Sequence, residues 1–535
     1  FSYESLPESS AVRGRVGIPR VLNLFENYPF WHTFFTKLGF RVELSGVSSR
    51  ELYEKGLTSI TSETACYPAK LVHGHIEDLV EDGHRFIFYP SIFYETKEYE
   101  SANNHLNCPV VAGYPEVIRN NVDSLKENGV DFRSPFLSLQ NKTRLKVRLY
   151  DELKDLIPDK KAMDNAVEAA WKELEQYRAD VRAEGDRALA WMKENNKKGI
   201  VLSGRPYHID PEINHGIPGV ITSLGWAVLS EDAIGKKEDV DNLRVLDQWT
   251  YHSRLYRAAE TIGQSEDLEL VQLNSFGCGL DAVVTDQVNE ILAQHDKIYT
   301  VLKIDEVNNL GAVKIRLRSL TQALEKRTRS VHRVHEGFSK VEFTKEMGKD
   351  YTLLIPQMAP DHFEILKEAL ESDGLKVEFL TEINREVENE GLTYVNNDAC
   401  YPSITVVGQL LHAVKSGKYD VNKIALVMSQ TGGACRASNY VGFIRKAVAE
   451  AGYPQIPVVA LSTQGIETSP GFKISLKGLH KAVIALLYGD LIVRVANETR
   501  PYEKIRGSAE LLKRRWMDKV KQDVRHHKMA DFKRN

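Results

Sequence analysis

The tetrapeptide Ala65-Cys66-Tyr67-Pro68 recurs as Ala399-Cys400-Tyr401-Pro402, and the surrounding register recurs with it. Gly74 and Gly408 each lie eight residues after their cysteine, and Gly83 and Gly417 seventeen after. Upstream, Gly56-Leu57-Thr58 matches Gly391-Leu392-Thr393; downstream, Pro109-Val110-Val111-Ala112 resembles Pro457-Val458-Val459-Ala460. Self-similarity over such a span means that two stretches of the chain fold as copies of one unit, so any fold must accommodate a duplication.

Between these motifs, apolar runs of strand length alternate with amphipathic helical stretches, the pattern of parallel sheets covered by helices. The class is α/β. Arg15 to Pro19, Phe40 to Leu44, Arg85 to Tyr89 and Pro109 to Ala112 are expected strands, with a helix around Phe30 to Leu38. Residues 159–197, rich in Ala, Glu, Lys and Arg at helical spacing, predict one or two long helices before a strand at Gly199 to Leu202. A connector rich in Lys326, Arg327, Arg329, Arg333 and Lys340 precedes a strand at Tyr351 to Ile355, and a basic helical tail runs from Leu511 to Asn535. The division expected is a first α/β repeat at 1–158, a helical connector at 159–198, a middle α/β domain at 199–325, a connector at 326–350, a second repeat at 351–500 and a tail at 501–535. At 535 residues, with 42% hydrophobic and 27% charged side chains, several ordinary globular domains are expected.

A net charge of −4, from 70 basic and 74 acidic side chains, gives no overall field to hold nucleic acid. No apolar run reaches membrane-spanning length and Phe1-Ser2-Tyr3-Glu4-Ser5 is not a signal sequence, so a cytoplasmic protein without a membrane partner is expected. The absent initiator Met and the polar stretch over residues 4–9 suggest part of a longer polypeptide.

Only five cysteines occur, 42, 170, 122 and 35 residues apart, which excludes Cys-x-x-Cys and zinc-finger spacings and points to a reducing compartment. An isolated free cysteine is usually a small buried apolar residue. Here Cys66, Cys108, Cys278 and Cys400 lie within two residues of Pro or Gly in loops expected to follow strands, where α/β folds place ligands. Cys435, after the strand Ile424 to Met428 and the turn Gln430-Thr431-Gly432-Gly433, precedes a helix expected near Ser438 or Asn439. Its thiolate would gain from the helix dipole. Cys108 finds no counterpart before Pro457, where Ile456 stands, and Cys435 none in the first repeat. A thiol nucleophile with His73, His75 or His84 as base is also open, although those histidines read better as packed side chains.

Gly17-Ile18-Pro19-Arg20-Val21-Leu22, Cys66 to His75, Ser275 to Val283 and Gln430 to Tyr440 resemble the 2-hydroxyacyl-CoA dehydratase and double-cubane-cluster protein superfamily. The closer resemblance is to the cluster-bearing portion of its large acyl-CoA dehydratase activase-related members, over nearly the whole chain. That implies duplicated Rossmann-like domains holding a [4Fe–4S] or double-cubane [8Fe–9S] cluster, reduced by an ATP-hydrolysing activator that often lies upstream on the same polypeptide. No activator phosphate motif occurs here. Carried over, Cys66, Cys108 and Cys278 would ligate one cubane and leave an iron open, while Cys400 and Cys435 would serve a second. A double cubane has six irons in need of outer ligands, and only five cysteines exist.

Arg205 and His208, in the loop Arg205-Pro206-Tyr207-His208, together with Lys303 and Arg436, are the candidate catalytic residues; each also reads as a paired structural group. Asn214-His215-Gly216 is a further polar loop. The function expected is the iron–sulfur component of an ATP-dependent low-potential reductase acting on a small-molecule substrate. The alternatives are a 2-hydroxyacyl-CoA dehydratase working through a ketyl radical, a cluster carrier or redox relay, and an enzyme whose thiols are structural. A homodimer is left open.

Overall fold

The computed structural model describes residues 3–234, 240, 242–307, 310–326, 340–462 and 466–526. Arg327, Arg329 and Arg333 of the expected connector, and the tail beyond His526, lie outside them. Three four-stranded sheets, all parallel, form the frame. The first contains β1 (Arg15–Ile18), β2 (Arg41–Leu44), β3 (Phe86–Phe88) and β5 (Asp131–Arg133); β4 (Ser91–Tyr94) and β6 (Phe136–Ser138) make a separate parallel pair beside it. The middle sheet contains β7 (Gly199–Ser203), β8 (Ala227–Leu229), β9 (Leu268–Ser275) and β10 (Thr300–Ile304). The third contains β11 (Thr352–Pro356), β12 (Val377–Leu380), β13 (Ile424–Ser429) and β14 (Val458–Leu461).

The strand orders are β2-β1-β3-β5, β8-β7-β9-β10 and β12-β11-β13-β14. Counted from the first strand of each sheet, all three read second, first, third, fourth. The duplication inferred from the cysteine motif is therefore matched in the strand order of a third sheet, the middle one. Parallel strands need crossovers, and the intervening helices supply them.

The chain divides into two compact units: residues 1–243 with 247–337, and residues 244–246 with 338–535. The first holds two of the sheets on one continuous core. Phe30, Trp31, Phe34 and Phe35 of the Leu24–Lys37 helix pack edge-on beneath β1 and β3, and Ile200, Val271, Leu273 and Leu302 of the middle sheet join the same cluster. That helix starts earlier than its apolar spacing suggests and carries Pro29 inside it. The segment 159–197 forms a single helix, Lys160–Glu194, capped by Asp159, whose side chain accepts from the Ala162 N–H. Its apolar stripe of Met163, Val167, Ala170 and Leu174 covers the Leu24–Lys37 helix. In the second unit, Leu353, Ala425, Val427 and Val459 fill the space beside the third sheet.

One expected strand is a helix. Pro109 to Ala112 opens the helix Pro109–Asn121, with Cys108 as its N-cap. A run of Pro-Val-Val-Ala has strand propensity, but proline is tolerated in a helix's first turn, where its missing N–H costs nothing. Its apparent partner, Pro457 to Ala460, does enter β14. The two tetrapeptides are thus not equivalent positions of the repeat.

The repeated glycines have a common physical reason. A Cβ on Gly74 would sit 1.9 Å from the Leu52 carbonyl oxygen, and one on Gly408 2.0 Å from that of Val387. In both units the helix that follows the cysteine crosses its neighbour at backbone contact, so only glycine fits.

Candidate functional site

Every cysteine occupies a helix N-cap. Cys66 caps Tyr67–Glu81, Cys108 caps Pro109–Asn121, Cys278 caps Gly279–Gln294, Cys400 caps Tyr401–Lys415, and Cys435 caps the short turn Arg436–Asn439 that leads into Tyr440–Glu450. Proline follows at the first or second helical position for Cys66, Cys108 and Cys400. Cys66 and Cys400 are equivalent, as the sequence indicates. Cys108, Cys278 and Cys435 each cap the helix between the third and fourth strands of their own sheet. Cys435 therefore does have a counterpart in the first repeat, Cys108. The equivalence is hidden in sequence because β4 and a longer loop intervene between β3 and Cys108.

In the first unit three of these caps converge. Ionised, Cys66 and Cys108 would repel one another, as would Cys108 and Cys278, and each would disfavour ionisation of the buried Tyr207 phenol. Burial, with Cys108 adding to it, pushes the Cys66 thiol up to about 11. Burial, with the Asp281 carboxylate adding to it, pushes Cys278 up to about 12. Thiolates are expensive in this pocket unless a cation meets them.

Arg205 is the cation present. It follows β7, and Cys278 follows the adjacent β9, so both stand at the carboxyl ends of the two central strands, where the strand order reverses. This is where open α/β sheets place ligands. The Arg205 side chain is buried, and its Nη2 donates to Asp281 Oδ1, to His252 Nε2 at 3.1 Å and to Cys278 Sγ at 3.4 Å; Nη1 donates to the Tyr207 hydroxyl at 3.1 Å. Its Nε is buried without a hydrogen-bond partner. Burial would lift the Asp281 carboxyl, but Arg205 holds it well below the usual carboxylate range.

His208 is placed beside this group but is spent on structure. Its Nδ1 accepts from the Arg205 backbone N–H at 3.1 Å, and a Cβ on Gly204 would sit 2.2 Å from that nitrogen. Burial lowers His208 to about 3, so it stays neutral. Lys303, on β10, lies with its ammonium 5.8 Å from the centre of the Phe276 ring, two residues before Cys278. His252 and Asp281 escaped the sequence reading as functional groups. Asp281 had a signal, since it stands three residues into the helix capped by Cys278; His252 had none.

Around this centre the first and middle sheets are tied together. The helix after Cys66 sends Tyr67 to Glu212 at 2.8 Å and the buried Lys70 to Glu306 at 3.0 Å, while His215 stacks on Tyr67. His73 and His75 on the same helix lie between Ser59 and Tyr114 and between Ser45 and Ser48, and His84 meets Glu43. They are packed side chains and do not face a thiol.

The second unit carries a smaller cluster. Cys400 Sγ lies 2.7 Å from the Tyr440 hydroxyl, and the Arg436 guanidinium favours the ionised form of the same thiol. Burial would raise Cys400, but Tyr440, the Ser403 N–H and Arg436 hold it below a thiol's ordinary value. Cys435 is exposed, its sulfur accepting from the Ala437 N–H at 3.5 Å. Arg436 thus acts on Cys400 and Tyr440.

Among the described residues, no three His, Cys, Asp or Glu side chains gather closely enough to ligate a single metal ion. Nor is any described helix long and apolar enough to cross a membrane.

Residues 15–234 match the CoA enzyme activase uncharacterised domain family, DUF2229. The matched stretch takes in the whole first sheet and the first two strands of the middle one, with Cys66, Cys108, Arg205 and His208. Cys278, Lys303, Cys400, Cys435 and Arg436 lie beyond it. This similarity agrees with the acyl-CoA dehydratase activase-related resemblance in its broad form, an activase-related role in CoA enzymology. No curated protein matches the chain.

Proposed function

We propose that the chain is the iron–sulfur-bearing component of a CoA-enzyme activase-related reductase, with Cys66, Cys108 and Cys278 as the cluster ligands. The observation that carries this reading is the convergence of three helix-capping thiols, from three loops, around one buried guanidinium. The donor set fits the group. Thiolates that repel each other in a dry pocket are stabilised by a cationic iron core, and soft sulfur donors select iron–sulfur clusters over hard ions. Each cluster cysteine binds a different iron, so the thiols should ring a space without meeting at one point.

When bound, such a cluster supplies a low-potential electron and, with three cysteines for four irons, one iron free for a substrate oxygen. The protein's own part is electrostatic and positional. Arg205 holds a permanent positive charge against Cys278 Sγ and so favours the more negative, reduced state. Asp281 fixes the guanidinium's orientation, and the Tyr207 hydroxyl accepts from Nη1. Cys400 and Cys435, with Arg436 and Tyr440, would hold a second cluster; the exposure of Cys435 favours an electron-relay role for that site. An ATP-hydrolysing activator, fused or separate, is the proposed electron donor.

The test is iron and acid-labile sulfide per chain after anaerobic purification, with electron paramagnetic resonance of the reduced sample. About four irons are expected at the first site, lost in Cys66→Ser, Cys108→Ser or Cys278→Ser, and about four more if the second site is loaded. Arg205→Met is expected to retain iron but to make its reduction harder. A chain free of iron under these conditions overturns the proposal.

A further inference from the structure

The 24-residue helix Leu476–Thr499 of the second unit is apolar on two sides. Ile484, Ala485, Tyr488 and Ile492 bury one side against the helices Pro360–Glu371 and Ser508–His526. The opposite side bears Leu476, Leu479, Val483, Leu486 and Leu487, and Leu491 and Val495 continue the exposed row along the helix flank, each of the seven 44–84% exposed. A soluble helix ordinarily shows charge on that side. Here the exposed charges are Lys477, Asp490, Arg494 and Glu498, two of each sign, and Asp490 is tied to His362 at 2.9 Å.

We propose that this face is the interface of a two-fold symmetric dimer, covered by the same helix of a second copy of the chain. Three observations select that occupant. At on the order of 100 Å² per exposed leucine or valine, the row offers nearly the about 800 Å² per partner of a standard interface, and exceeds the patch of a few hundred Å² usual on a monomer. Leu479, Val483, Leu487, Leu491 and Val495 repeat every four residues, and such rows interlock across two helices at about −50°. A two-fold axis at Leu487 sets Val483 against the partner's Leu491 and Leu487 against its own copy, so the face complements itself. The balanced charges remove the attraction to anionic lipid on which a surface-bound helix relies.

Sedimentation equilibrium of the full chain at about 10 μM is expected to give twice the 60.6 kDa chain mass. Leu487→Glu places two carboxylates together on the axis and is expected to weaken association about a hundredfold or more, with unchanged circular dichroism. Leu487→Cys should form a disulfide-linked dimer through residue 487 on both copies, whereas Val483→Cys should cross-link only when mixed with Leu491→Cys. A monomeric wild-type chain, a dimer unaffected by Leu487→Glu, or flotation with phosphatidylserine-containing vesicles without dimer formation would overturn the proposal.

Discussion

Replacing Arg205 by Met in metal-free protein removes every polar contact of the guanidinium in one step. Tyr207, His252 and Cys278 each lose one partner, and Asp281 loses its counter-ion while remaining buried, with His252 Nε2, held neutral by burial, 3.4 Å away. Breaking a buried pair from one side costs about 3–5 kcal/mol, because the surviving charge stays desolvated. That is roughly two to four decades in the unfolding constant, out of a total stability of about 5–15 kcal/mol. Removing both charges, in Arg205→Met with Asp281→Leu, should restore most of the loss, so the two substitutions are strongly non-additive. The pH dependence follows. In the wild type, Asp281 is held below its ordinary range, so its contribution is present above the unfolded carboxyl pKa, near 3.9, and is lost only as pH falls through the lower folded value. Without Arg205, burial raises that carboxyl; the penalty is full at neutral pH and relaxes on acidification as the group protonates. Urea unfolding followed by tryptophan fluorescence reads this directly, because Trp31, Trp171, Trp191, Trp226 and Trp249 lie in the first unit and only Trp516 in the second. An unchanged midpoint for Arg205→Met, or a double variant as unstable as the sum of the single ones, would refute the reasoning.

Gly74→Ala and Gly408→Ala should each destabilise their own unit by about 1–3 kcal/mol or more, since the added methyl meets a backbone carbonyl that cannot rotate away. Gly219→Ala, in the helix Ile217–Ser223 with nothing within 4 Å of its Cβ, should be neutral or gain up to about 1 kcal/mol. Equal urea midpoints for Gly74→Ala and Gly219→Ala would contradict this. Burial lowers His73 to about 4 and His75 to about 3, so both stay neutral in the folded first unit while the unfolded chain takes up their protons below about pH 6.5. Their stabilising effect is complete above that pH and declines below it, by about 2 kcal/mol each at pH 5. His75→Gln should remove about one proton from the pH slope of the urea midpoint between pH 6 and 4, and an unaltered slope would count against it.

Much of the fold could be read from the residues. Short apolar runs such as Gly199 to Leu202 and Ile424 to Met428 became strands, and the alternation with helices implied parallel sheets. Where the reading failed, a longer-range constraint decided. Pro109 to Ala112 has strand composition, yet it follows a cysteine held at a helix start, and proline at that point begins a helix. The middle sheet repeats the strand order of the other two without any shared tetrapeptide, because strand order is fixed by packing while side chains away from the cysteine loops are free to vary. The thiols of the candidate site were visible as Gly- and Pro-flanked cysteines, and Arg205 as a charged residue directly after a strand. Its clasp by Asp281 and His252 was not, since those partners stand 76 and 47 residues away in sequence and meet only when β7 and β9 pair.

The spread of the site along the chain also sets a clock on its biosynthesis. Cys66 precedes Asp281 by 281 − 66 = 215 residues. At about 5–20 residues per second of synthesis, roughly 10–40 seconds separate the emergence of the first thiol from that of the carboxylate that locks Arg205. During that interval the first sheet can complete itself, because β1, β2, β3 and β5 all precede residue 134. Its two cysteines nevertheless stay without the third wall of their pocket, and a nascent chain stalled there would present a finished domain with an unfinished centre.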